Sequence, residues 1–295
     1  MDIRQLTYFL GIVEHGGFGR AAEHLHVAQP SLSQAVAGLE RDLGVRLFHR
    51  LGRGVELTEA GRALIAPARR VLRDLDSARA RVDSIGGRLV GQVDLALMPS
   101  QGVEPFATMA LRLARRHPGL RIRADPAYTR DEVLDLVRSG RCELGLAGAV
   151  PAPYPSGFVA HRLGTQDMVL VVAPEAGFQD GAVVSQGELG GQRLIVSPPG
   201  SVMRQVADEI AAVSDVHIAV EVAHRSSVLP LVLSGAGVAV LSSAWTSLAR
   251  RSGAFVLQLC PTSILEVAII HRDAPLTPAA EALLDISRQP VELES

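Results

Sequence analysis

At 295 residues, with 47% hydrophobic and 20% charged side chains, the chain has globular composition and length for two or three compact units. No run of eighteen apolar residues occurs, and the start, Met1-Asp2-Ile3-Arg4-Gln5-Leu6, reads as an amphipathic helix and not a signal peptide; no membrane partner and a cytoplasmic location are expected. The net charge of −2 divides unevenly, with 13 Arg against 10 acids in residues 1–90 and 16 Arg against 21 acids in residues 91–295. Every basic residue is Arg, so each cationic contact is a planar guanidinium.

Taken in chain order, a short helix is predicted from Arg20 to Leu25, its face of Ala21, Ala22 and Leu25 small enough for a second helix to cross closely. A turn follows at His26 to Gln29, and a new helix starts near Pro30, where a missing N–H is tolerated. Leu32, Val36, Leu39 and Leu43 form its buried stripe, and Gly44 ends it. Gln29, Ser31, Ser33 and Gln34 then gather at the exposed N-terminal end, where Gln can read adenine and Ser can bond phosphate or base edges. Leu47-Phe48 and Val55-Glu56-Leu57 bracket Leu51-Gly52-Arg53-Gly54 as a hairpin with Arg50 and Arg53 at its tip and His49 nearby. This is a helix-turn-helix with a basic wing, and its candidate DNA contacts are Arg20, Gln29, Pro30, Ser31, Ser33, Gln34, Arg50 and Arg53. Residues 1–57 hold six Arg against six acids, so one such head alone should bind double-stranded DNA weakly.

From Thr58 to Ile85 the apolar residues Leu64, Ala68, Val71, Leu75, Ala78, Val82 and Ile85 alternate at spacings of four and three. That heptad seam, flanked by Arg62, Arg69, Arg70, Arg73, Arg79 and Arg81, predicts a long exposed helix that pairs with a second copy. The alternative is packing on its own C-terminal domain. Gly86-Gly87 ends the helix and offers a hinge.

Beyond it strands and helices alternate: a strand at Gln92 to Met98, a helix at Val103 to Arg116, a strand at Leu120 to Ala124, a helix at Arg130 to Ser139 and a strand at Glu143 to Ala147. Strands at Phe158 to Leu163 and Met168 to Ala173 follow, then an α/β series from Leu194 to Leu241, a strand at Leu265 to His271 and a helix from Pro278 to Ser287. The nine His are scattered without Cys or carboxylate partners at ligand spacing, so no metal is expected and no cofactor is called for. Cys142 and Cys260 lie far apart with no CxxC and read as structural thiols before a redox switch. No GxSxG, phosphate loop or dinucleotide fingerprint occurs, so an enzyme is not expected.

The residues Phe18 and Arg20-Ala21-Ala22, Gln29-Pro30-Ser31-Leu32-Ser33, Leu39-Glu40, Leu43-Gly44, Leu47-Phe48-His49-Arg50 and Leu57-Thr58-Glu59-Ala60-Gly61 resemble the winged helix-turn-helix of LysR-type transcriptional regulators. Ala28 departs from that pattern, which usually has Ser there, and Ala35, Ala37 and Gly38 make the reading helix unusually smooth. Leu134-Asp135-Leu136-Val137 with Gly140, Glu143-Leu144-Gly145-Leu146-Ala147 and Ser234-Gly235-Ala236-Gly237-Val238 extend the resemblance. It implies an α+β protein: a winged head at 1–58, a coiled-coil linker helix at 59–87 for dimerisation, and an effector domain at 88–295. That domain resembles a type 2 periplasmic binding protein, with lobe I at about 91–161 and 266–295 and lobe II at about 162–265. The resemblance further implies a homotetramer built from dimers, with RNA polymerase among its partners.

A fold of that kind places a ligand between lobes, where strand ends feed helix starts. Ser100, Gln101, Thr129, Ser197 and Ser201 stand at such places, with His224 and Ser226 as further candidates. Hydroxyls and helix-start amides favour a small polar or anionic organic effector. A solute-binding protein or an enzyme built on the same bilobed domain is the competing function, and the DNA-reading head argues against both.

Overall fold

In a computed structural model of the chain, residues 1–51, 54–84 and 89–289 are described. They divide into two compact units, one of Met1–Gly91 with the short pieces Arg138–Arg141 and Leu276–Ala279, the other of the remaining residues.

The first unit opens with α1 (Ile3–His15), capped reciprocally by Asp2 and Gln5. Next come α2 (Phe18–His24), α3 (Gln29–Leu43), β1 (Phe48–Leu51), β2 (Gly54–Leu57) and α4 (Glu59–Ser84). α2 begins two residues earlier than the alanine pattern suggested, because Phe18 packs inward against the ring of Phe48 at 5.7 Å, while Phe9 meets the same ring at 5.5 Å. Each such aromatic pair adds about 0.5–1.5 kcal/mol beyond its burial. Leu32, Val36 and Leu39 of α3 are buried in the same core. In the turn His26 takes φ +53, a left-handed conformation that costs a side-chain-bearing residue about 1–2 kcal/mol.

Heptad spacing misassigned one residue of α4. Ala68 is 1% exposed in the head's own core, so it cannot line a seam between subunits, and half-buried Leu64 packs beside it. The shared period hides a change of partner: the first turns of α4 lie against α1, and Arg69 pairs with Glu14 at 3.3 Å. Val71 and Val82 are 43% and 67% exposed, Ala78 is exposed and Leu75 half-buried, while Leu72 still packs on the head's core and Arg73 donates to the Gly140 carbonyl. Ile85 and the Gly86-Gly87 hinge lie outside the described residues.

In the second unit β3 (Gly91–Leu97) leads to α5 (Pro99–Val103), α6 (Phe106–Arg116), β4 (Leu120–Pro126), α7 (Arg130–Arg138) and β5 (Leu144–Ala149). The single helix expected over 103–116 is two, because Pro105 has no N–H to continue a helix and instead caps α6. Two strands expected around 158–173 are one long strand, β6 (Phe158–Val172), whose two halves serve different sheets. Its first part pairs with β12 (Ile264–Arg272). From Met168 it pairs with β10 (Val238–Ser242) and from Val169 with β11 (Phe255–Cys260). The register with β12 shifts once, near Val267, which bends the crossing pair.

Completing the second half are β7 (Val183–Ser185), β8 (Arg193–Val196), α8 (Val202–Val213), β9 (His217–Glu221), α9 (Val228–Leu233), α10 (Thr246–Arg251) and α11 (Pro278–Ser287). The strand order β4-β3-β5-β12-β6-β10-β8-β9 places two α/β lobes on either side of the crossing strands β6 and β12, with β11 and β7 attached to β6. Sequence patterning missed β7 and β11. β7 is only three residues long, and β11 is paired on both sides, so its apolar run does not alternate. Each lobe has its own core, Val133, Leu134 and Val137 in one and Leu170, Leu194, Val206 and Leu241 in the other.

Candidate functional site

At the head, Pro30 occupies the first turn of α3, and Gln29, Pro30, Ser31 and Gln34 are exposed while Ser33 is half-buried. None of the side-chain hydrogen bonds found among the described residues uses Gln29, Ser31, Ser33 or Gln34, so their polar atoms stay free for an external partner. Ala28 sits at the N-cap with no side-chain bond, and its carbonyl accepts the Ser31 and Leu32 amides at 3.0 and 3.2 Å. Arg20 is spent in part on the head itself, donating from Nη2 to the carbonyl of Gly16 at 2.7 Å. Arg50 lies on β1 opposite Val55, and Arg53 lies outside the described residues.

The wing is held to α3 by a residue whose role sequence reasoning left unassigned. Glu40, 9% exposed, accepts from the Leu47 and Phe48 amides at 2.8 and 3.3 Å and from Arg46 at 2.8 Å. Burial alone would raise its carboxyl; the Arg46 bond and the two amides outweigh burial and hold it below the usual carboxylate range. Thr58 fastens the other end, donating to the Arg46 carbonyl at 2.7 Å and accepting from the Gly61 amide at 3.0 Å. A Cβ at Gly61 would collide with the Leu47 carbonyl, which explains a glycine inside the first turn of α4.

In the second unit the strand ends bring the two lobes face to face. α5, after β3, packs against the turn Ser243–Trp245 that follows β10. Gly200, at φ +98 in the loop after β8, approaches Thr129 of the other lobe so closely that its missing Cβ would lie 3.8 Å from the Thr129 methyl. Ser100 and Gln101 are 3% and 1% exposed, and Ser197 and Ser201 are buried as well. Gln101 fills the space a Cβ would take at Gly148 and donates to Gln166 at 3.2 Å, and Gln166 donates to the Glu104 carbonyl at 3.0 Å. Thr129 and Ser201 each accept a helix-start amide at 3.2 Å, from Glu132 and Arg204, so their oxygens serve as caps and only the hydroxyl protons remain to donate.

Sequence reasoning bracketed the principal charge without choosing it. His224 and Ser226 are exposed, and Arg225 between them is buried at 6% exposure. Its Nη1 meets the Met203 sulfur, its Nε has no partner, and no ion pair with a carboxylate is found for it among the described residues. Burial pushes its guanidinium down to about 10, partly opposed by Tyr128 of the facing lobe, so it is still a cation at neutral pH. Ser100 Oγ, Gln101 Oε1, Ser242 Oγ and Trp245 Nε1 are likewise buried without partners. Ser242 and Trp245 were missed, although a lone Trp just after the apolar run Val238–Leu241 was a usable signal. Buried polar groups are normally bonded, so these unpartnered atoms stand out.

Residues 3–62 match the model of the bacterial regulatory helix-turn-helix protein, lysR family, and residues 86–291 match the LysR substrate binding domain. The chain belongs to the LysR family. It is a DNA-binding transcriptional regulator with a substrate-binding domain, in a family of regulators and not of enzymes. Over 300 residues it is 28% identical to the hydrogen peroxide-inducible genes activator of Dickeya chrysanthemi, covering 99% of this chain and 97% of the relative. The fold is similar to that of a full-length OxyR point variant from Pseudomonas aeruginosa, at TM-score 0.74 and 23% identity over 99% of this chain and 96% of that one. It is also similar to full-length CbnR in complex with its target DNA, at TM-score 0.68 and 23% identity over 98% and 99%. Among the described residues no helix is long and apolar enough to cross a membrane, and no three metal-ligating side chains are grouped.

Proposed function

We propose that this LysR-type regulator is switched by a small organic anion bound between the two lobes, with Arg225 as the charge partner and Ser100, Gln101, Ser242 and Trp245 fixing orientation. Ser197, Thr129 and Ser201 border the same space, and His224 and Ser226 stand at its rim. The observation that carries the reading is a buried guanidinium for which no ion pair with a carboxylate is found among the described residues, in a domain that also buries orphaned donors and acceptors. An uncompensated buried charge is costly, and an arriving anion removes that cost. Effector binding then shifts the population of lobe arrangements, and with it the spacing of heads along bent DNA.

At the DNA, Gln29, Ser31, Ser33 and Gln34 read bases beside Pro30, and Arg20, Arg50 and Arg53 meet phosphates. Subunits pair through Val71, Leu75, Ala78 and Val82 of α4, and pairs assemble into tetramers. The regulator acts in the cytoplasm, where its DNA and RNA polymerase are.

The peroxide relatives raise a second reading, thiol sensing. It has less support here, since Cys142 is 1% exposed and Cys260, though exposed, has no second thiol in its sequence neighbourhood. Calorimetric titration of the full chain with a panel of mono- and dicarboxylates tests the first reading. At least one should bind, and Arg225→Gln should weaken it about a hundredfold, as expected for a desolvated charge-assisted contact. Unchanged affinity in Arg225→Gln, or peroxide altering DNA binding while no carboxylate does, would contradict it.

A further inference from the structure

Away from the cleft, His161 on β6 and His271 on β12 are diagonal neighbours across the crossing strands, His161 standing opposite Ile269 and His271 opposite Val159. Their Nε2 atoms are 3.0 Å apart, the ring centroids 5.2 Å apart and the planes 15° from parallel. A centroid separation so much longer than the N···N contact means the rings meet end to end, nearly in one plane, and do not stack. That is the geometry of an in-line N–H···N hydrogen bond.

The outer nitrogens settle its direction. His271 Nδ1 lies 2.7 Å from the Arg272 carbonyl, which can only accept, so Nδ1 carries a proton and a neutral His271 must accept at Nε2. His161 therefore donates from Nε2 and accepts at Nδ1, where Arg288 Nη2 lies at 3.2 Å. Arg288 follows α11, so one unbroken chain runs from the end of that helix through both imidazoles to the β12 backbone.

We propose that His161, His271 and Arg288 form a proton-operated latch that fastens the end of α11 to the crossing strands and opens when the pair takes up one proton. A proton from solvent taken up at His161 Nδ1 turns that acceptor into a second donor facing the Arg288 N–H, which it ejects, while His161 keeps its Nε2–H bond to His271. The charged groups acting on His161 are Arg288 from α11 and His271 from β12. Arg288 is shared with Asp285 at 3.7 Å, and Glu266 on β12 is paired with Arg162 at 3.4 Å. Burial first, then Arg288 and His271, holds the His161 imidazole below its ordinary 6.5. The folded chain thus binds this proton less readily than the unfolded one, and the latch's contribution to stability is complete above 6.5 and is lost as the pH falls below it.

The test follows imidazole Cε1–H exchange and backbone amide exchange of the full chain by mass spectrometry across the histidine range. Expected are two coupled titrations with the first proton entering below 6.5, and protection of residues 284–289 falling in step, by up to about tenfold per pH unit for one linked proton. Arg288→Gln should raise the His161 midpoint and leave the end of α11 unprotected at all pH values, and His161→Gln should do the latter alone. Independent titrations with flat protection at 284–289, or midpoints and protection unmoved by Arg288→Gln, would overturn the latch.

Discussion

The head and the cleft prepare for their partners in opposite ways. In the head, three of the side chains proposed to meet DNA, Gln29, Ser31 and Gln34, are exposed with no side-chain bond found among the described residues, while the buried polar groups Glu40 and Thr58 are bonded within the protein. In the second unit the order is reversed: among the groups proposed for a ligand, Ser100 Oγ, Gln101 Oε1, Ser242 Oγ, Trp245 Nε1 and Arg225 Nε are buried without a partner. Exposed groups cost little to hold ready, because water satisfies them until DNA arrives. Buried ones cost stability until a ligand arrives, so occupancy of the cleft is coupled to the energy of the fold.

The comparison breaks first at Glu40. If the head is internally satisfied, Glu40→Gln removes a charged acceptor and should cost about 1.5–3 kcal/mol in denaturant unfolding of the full chain. Because the folded carboxyl titrates below its ordinary 4.5, the wild-type advantage should be complete above that value and fade as the pH falls through the folded value. An advantage that persisted in acid would remove Glu40 from its role. A smaller effect separates the two kinds of DNA contact. Gln29→Ala should lose about 1–3 kcal/mol of affinity for the cognate sequence alone, whereas Arg53→Ala should weaken binding to all DNA and flatten its salt dependence. Equal losses on specific and non-specific DNA from both variants would contradict the division. The smallest change is a gain: Ala28→Ser supplies the missing side-chain cap of α3 and should stabilise the head by about 0.5–1 kcal/mol, seen as a raised denaturant midpoint.

The same contrast explains what could be read from sequence. The head's helices and hairpin were legible because each is specified locally: apolar spacing for α3, Pro30 at its start, Gly44 at its end, glycines at the wing tip. The heptad misled at Ala68 because a period reports which face is covered and is silent on whether the cover is the same chain or another. In the second unit, strand ends pointed to Ser100, Gln101, Thr129, Ser197 and Ser201 as ligand contacts, and two of these hydroxyls cap helices. Arg225 escaped because an arginine in a loop reads as a solvated surface residue. In the fold it meets the Met203 sulfur, which lies 22 positions away in sequence.

The central claim, that Arg225 is kept buried and unpaired for an anion, is tested most directly by thermal unfolding of the full chain and of Arg225→Met, each with and without a saturating carboxylate identified by calorimetry. The account predicts that Arg225→Met unfolds at a higher temperature than wild type when no ligand is present, since an unpaired buried charge is gone. It also predicts that the carboxylate raises the midpoint of the wild type only, with about 2.7 kcal/mol of added stability at a hundred times Kd. A ligand-free Arg225→Met that is less stable than wild type and still gains the full carboxylate shift would contradict it.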